Sequence, residues 1–128
     1  MRLPKIDKRY GPFVLRVALG LLFIIPGAGK LFNPAAPTSM LASLGFPAPA
    51  FFAWLLIAAE VLGGLALLAG WQVRWAVLPL AIVMLVAIFT VVIPNMNGNP
   101  VNLLFHILAL AGLKSVYATG PGAWALGK

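Results

Sequence analysis

Four apolar runs, each about as long as a bilayer is thick, leave this chain few ways to fold. A helix needs about 20 residues to cross the hydrocarbon core. The runs cover approximately 12–32, 49–69, 72–93 and 100–118. Of the 128 residues, 62% are hydrophobic and only 9% are charged, against about 25% charged in soluble domains. A soluble chain of this size has no interior large enough for that much apolar surface, so the bilayer must cover it. The expected fold is all-α: one domain over 1–128, an integral-membrane four-helix bundle with its N-terminus and C-terminus cytoplasmic.

Local signals set the ends of the runs. Gly11-Pro12 suits a helix start, because proline is tolerated in the first turn. Pro26 is expected to kink the first span, Pro94 to stop the third, and Gly120-Pro121-Gly122 to end the fourth. The first connection, Asn33 to Ala48, is the longest. Within it, Thr38 to Leu44 reads either as an interfacial helix with Met40, Leu41 and Leu44 on one face, or as an ordinary proline-rich loop. The basic start followed by an apolar run resembles a signal peptide. Cleavage is not expected, because Arg16 interrupts the apolar region and three more spans follow.

Charge sets the expected orientation. Arg2, Lys5, Lys8, Arg9 and Arg16, then Arg74, Lys114 and Lys128, fall on one side, and only Lys30 on the other. The positive-inside rule makes the first side cytoplasmic. Tyr10, Trp71, Trp75 and Tyr117 would line the inner interface, and Phe32, Phe51, Phe52 and Trp54 the outer one. The net charge of +7 is explained by topology and contact with anionic membrane lipids. With no continuous basic face, nucleic acid is not an expected partner. The chain has no cysteine, which excludes a thiol relay, a disulfide, an iron–sulfur cluster and thiolate-bound zinc within it.

Glu60, the only acidic residue after Asp7, lies near the middle of the second run. A carboxylate there costs about 2.5–3.5 kcal/mol on insertion scales, so it should face protein and have a partner. Arg16, Gly20, Phe23, Gly27 and Lys30 form one stripe of the first helix; Glu60, Gly64 and Leu67 form another on the second, with Gly63 beside it. The glycines Gly20, Gly27, Gly63 and Gly64 read as helix-packing positions. Arginine's reach and fork favour Arg16 as the partner of Glu60. Lys30 would serve if Pro26 bends the helix inward. Either pairing leaves a surplus cation, which suits an anionic or carbonyl-rich ligand. Asn102 and His106, four apart on one face of the last span, join Lys30 above Glu60. The candidate ligand-binding or buried polar site is therefore Arg16, Lys30, Glu60, Asn102 and His106. Plainer readings stand beside it: both cations snorkelling to headgroups, Glu60 in a structural ion pair, and His106 as a core hydrogen bonder. Haem ligation would need a second ligand such as Met84 or Met96. No nucleophile–base pair, phosphate-binding loop or metal cluster appears, so catalytic residues and enzyme status stay open.

These segments, Arg16-Val17-Ala18-Leu19-Gly20, Gly27-Ala28-Gly29-Lys30-Leu31, Leu44-Gly45-Phe46-Pro47, Glu60-Val61-Leu62-Gly63-Gly64 and Gly120-Pro121-Gly122, resemble the DoxX family in order and spacing. The resemblance implies a small multi-pass protein of the inner (plasma) membrane. It also implies links to thiosulfate:quinone oxidoreductase, oxidative-stress complexes and methylamine dehydrogenase maturation. Family members often carry an acidic residue entering the last helix, where this chain has Asn102, and many end in Ser-Leu-Asp after the Gly-Pro-Gly. The expectation is a redox accessory or subunit binding a quinone-like or lipid headgroup, with no covalently bound cofactor and with a partner protein or redox enzyme. The alternatives are an assembly scaffold, or a small-solute transporter acting as a homo-oligomer.

Overall fold

The computed structural model describes residues 10–122 and residue 125. The expectations placed on Arg2, Lys5, Lys8, Arg9 and Lys128 lie outside the described residues. The elements run α1 (Tyr10–Phe32), α2 (Ala35–Ser43), α3 (Pro49–Ala69), α4 (Val73–Ala87, continued by a π-helical turn Ile88–Val92) and α5 (Val101–Thr119). There is no strand among the described residues, and four of the helices are long and apolar enough to cross a membrane.

The breakers act where their chemistry requires. Pro49 opens α3 in its first turn. Gly70 closes it at φ 71°, a left-handed conformation that glycine adopts without a Cβ penalty. Pro94 has no N–H to donate to Thr90, so the α pattern cannot continue through it. The last turn of the span widens instead, with Ile93 N donating to Ile88 O at 2.9 Å. The first connection resolves in favour of a helix: α2 packs on α3, with Leu41 buried and Met40 and Leu44 partly exposed.

The bundle is organised by α1 against α3, its most extensive contact, then α3 on α4, α4 on α5 and α5 on α1. The α1–α3 contact is close because glycines remove side chains from it. A Cβ at Gly64 would lie 2.8 Å from Ile24 N, one at Gly20 2.8 Å from Leu68 Cγ, and one at Gly27 2.9 Å from Glu60 Cβ. These contacts fix an antiparallel register: Gly27 beside Glu60, Ile24 beside Gly64, Gly20 beside Leu68. On the other side of α3, Gly63 accepts Leu80 of α4. Leu19, Phe23, Leu67, Val73, Leu80, Leu113 and Val116 fill the centre. Leucine, isoleucine, valine and phenylalanine side chains also cover much of the outside, as expected where lipid is the solvent.

Candidate functional site

The α1–α3 register decides which cation meets Glu60. Lys30 lies one turn beyond Gly27, and Gly27 touches Glu60. The Lys30 ammonium therefore reaches the carboxylate directly, with Nζ donating to Oε1 at 2.6 Å. Glu60 is 4% exposed, and the Lys30 side chain keeps 29%. Arg16 was the partner favoured by reach, and the structure corrects that. It sits about 16 Å further down α1 from Gly27, at 1.5 Å per residue. There it is level with the C-terminal end of α3.

At that end Arg16 satisfies backbone. Its Nη1 donates to Leu67 O at 2.6 Å and Leu68 O at 2.9 Å, and its Nε donates to Pro121 O at 2.8 Å. The last carbonyls of a helix have no intrahelical donor, and a cation there also complements the helix dipole. The guanidinium stands over the Phe13 ring at 5.4 Å and is fully buried. It joins α1, the end of α3 and the segment after α5. The sequence offered two readings for it, pairing with Glu60 or snorkelling to headgroups, and neither is a clasp on backbone carbonyls. Gly70, as a helix C-terminus level with Arg16, was the available signal for the carbonyls.

Around the Lys30–Glu60 pair lies a cavity of about 620 Å³. Its polar wall comprises Lys30, Glu60, Asn102, His106 and Thr90. The rest is apolar, including Leu22, Phe23 and Pro26 of α1, Met40, Leu41 and Leu44 of α2, and Phe52, Leu55 and Leu56 of α3. So α2 roofs a cavity rather than merely resting on a leaflet. Phe52 turns into the cavity instead of joining the outer aromatic belt, and it meets Phe46 edge to face at 5.8 Å. The π turn of α4 forms part of the same wall, a place where such turns often occur. The contributions of α2 and of Thr90, whose hydroxyl donates to Val86 O at 2.7 Å, had no sequence signal beyond their residue types. The structure thus brings Lys30, Glu60, Asn102 and His106 to one cavity and leaves Arg16 outside it.

The wall offers both kinds of hydrogen-bonding group. Among the described residues Lys30 Nζ donates only to Glu60 Oε1, so two of its protons remain for a ligand. Glu60 Oε2 has no protein donor there, and no buried side-chain oxygen or nitrogen is left unsatisfied, so that oxygen is open to the cavity. His106 Nδ1 lies 2.8 Å from Asn102 O. A carbonyl only accepts, so Nδ1 carries a proton, and in that tautomer of the uncharged ring Nε2 is the acceptor. No group of three metal-ligating side chains exists among the described residues.

The family model DoxX matches residues 11–92. The chain belongs to the DoxX family. No curated protein and no solved structure matches it. The DoxX match contains Arg16, Lys30 and Glu60 and the glycines between α1 and α3. It ends before α5, so Asn102 and His106 belong to the part of the cavity outside the matched DoxX region.

Proposed function

We propose that this DoxX-family protein is an integral-membrane accessory or subunit of a redox system and binds a quinone-like headgroup between Lys30, Glu60 and His106. The observation that carries the reading is the Lys30–Glu60 pair itself. It is a neutral pair with unused protons on one partner and an open oxygen on the other, set in an otherwise apolar cavity. With Arg16 engaged elsewhere, the surplus cation expected from sequence is absent from the cavity. A neutral head with carbonyl oxygens therefore suits it better than an anionic phosphate. The Lys30 ammonium would donate to a carbonyl. Glu60 Oε2 and His106 Nε2 would accept from hydroxyls of the reduced form. The quinone would supply the electron chemistry when bound, and a partner redox enzyme would exchange electrons with it; this chain binds and orients. The inner membrane is the compartment in which such a system would work.

The test is the quinone content of protein purified in mild detergent, read by solvent extraction and native mass spectrometry. Wild type should retain quinone, and Glu60→Gln and Lys30→Met should lose it. Equal content in all three would sink the reading. A second reading has its own support: Glu60 Cβ lies in the tight contact opposite Gly27, where a carboxylate can serve helix register alone. In that assembly-scaffold reading, a folded Lys30→Met/Glu60→Leu double variant keeps its partner and its activity.

A further inference from the structure

A second cavity, about 560 Å³, lies along the seam between α3 and α4. It has Ala58, Gly63 and Ala66 on one side and Trp71, Trp75 and Pro79 on the other. Leu55 and Ile82 line both this furrow and the polar cavity. The two spaces therefore meet across a sill made by those side chains. Leu55 is 49% and Ile82 61% exposed, so the sill faces lipid and the polar cavity has a side door into the furrow.

We infer that the α3–α4 furrow holds the single prenyl tail of the ligand whose head lies at Lys30 and Glu60. This rests on the headgroup reading above and deepens it by naming the ligand class: a neutral quinone with one long chain. Three observations favour that occupant. From Leu55 to Ala66 the furrow runs about 17 Å along α3, at 1.5 Å per residue, and it continues past the helix end to Trp71, which suits an extended chain and not a compact solute. It follows one helix pair, giving a track for one chain, while a phospholipid brings two. At one end it adjoins, across Leu55 and Ile82, the cavity that holds the neutral polar pair, and its other end is marked by exposed Trp71 and Trp75, residues typical of the membrane–water interface.

Moving a tail from lipid into the furrow gains no hydrophobic free energy, because lipid chains are as apolar as the furrow; only packing contacts are gained. Position is therefore a better readout than affinity. The experiment uses the full chain in phosphatidylcholine nanodiscs. The probes are two hexadecyl-benzoquinones carrying a diazirine, one beside the ring and one at the chain end. After irradiation, labelled residues are mapped by mass spectrometry. The ring-side probe should label near Leu55 and Ile82, and the chain-end probe between Ala66 and Trp75. An excess of the same benzoquinone without a chain should suppress both. Ala58→Phe fills the furrow at an exposed position, where folding is not at stake; Ala66→Phe fills it deeper. Each should remove the chain-end label from Ala66–Trp75 and leave the ring-side label in place.

Chain-end label on α2, on α5 or spread over the outer faces overturns the tail assignment while leaving the headgroup site intact. Furrow labelling by a diazirine phosphatidylcholine that an excess of the unlabelled chain-bearing quinone does not displace overturns it too, assigning the furrow to a lipid chain. If instead the ring-side label ignores both the competitor and Glu60→Gln, the headgroup reading fails first and this inference falls with it.

Discussion

Glu60 holds a charge deep in an apolar bundle because its partner arrives at short range and at the right level. Removing one member of such a pair leaves the other buried alone, at a cost of about 3–5 kcal/mol, whereas replacing both with apolar groups is often nearly neutral. Lys30 is partly exposed, so the lower end of that range applies. Lys30→Met and Glu60→Leu should each lower thermal stability in detergent, and the double variant should recover most of the loss. A double variant as unstable as the sum of the singles would show that the two residues are not coupled. Gly27 tests the same contact from the other side. A methyl there meets Glu60 Cβ at 2.9 Å and the Val61 backbone nitrogen at 3.2 Å, and helical backbone does not yield. Gly27→Ala should cost about 1–3 kcal/mol, read as a lower unfolding midpoint, while Gly29→Ala, which meets nothing within 4 Å, should not. The existence of a buried partner for Glu60 was legible from a lone carboxylate in a long apolar run. Its identity was not, because depth along each helix says nothing about register between helices.

At the scale of the elements, the two ends of the bundle are held by different means. At the Arg16 end, one guanidinium donates to carbonyls of α3 and of the segment after α5, and Arg74 Nε adds a bond to Tyr117 O at 3.0 Å. Lysine offers a point charge without the fork, so Arg16→Lys should lose part of this clasp. The expected cost is about 1–3 kcal/mol for the carbonyls left unmatched. Hydrogen exchange should quicken at Gly70, Trp71 and Gly120, with quinone retention unchanged because Arg16 lies outside the cavity. Unchanged exchange would reduce the clasp to an incidental contact. At the other end, α2 roofs the cavity through Leu41. The sequence left α2 undecided between helix and loop, since three prolines in or beside a short polar-apolar segment are compatible with either. What decides it is packing against α3, which no local pattern contains. The π turn is similar: Pro94 announced a stop, but the widened turn before it depends on the surroundings.

At the scale of the molecule, four antiparallel spans bring the first turn of α1 and the end of α5 to the same end, where Arg16 meets Pro121. Spans and fold class were legible because run length against bilayer thickness leaves little choice. The order of helices around the bundle was less so, since it depends on where glycines permit close approach. The described charges are asymmetric across this frame: Arg16, Arg74 and Lys114 lie toward one end and Lys30 toward the other. Lys30 is occupied by Glu60, so it contributes little net charge to its side. Positive charge near span ends is retained on the cytoplasmic face, and the Arg16 end should therefore be cytoplasmic. Fluorescent protein fused after Lys128 should fold and fluoresce, and alkaline phosphatase fused there should be inactive. The same phosphatase inserted at Asn97, in the α4–α5 connection, should be active. The reverse pattern would invert the whole bundle without altering one internal contact. It would place the cavity, its α2 roof and the Lys30–Glu60 pair near the cytoplasm, and a partner redox enzyme would then have to meet them from that side.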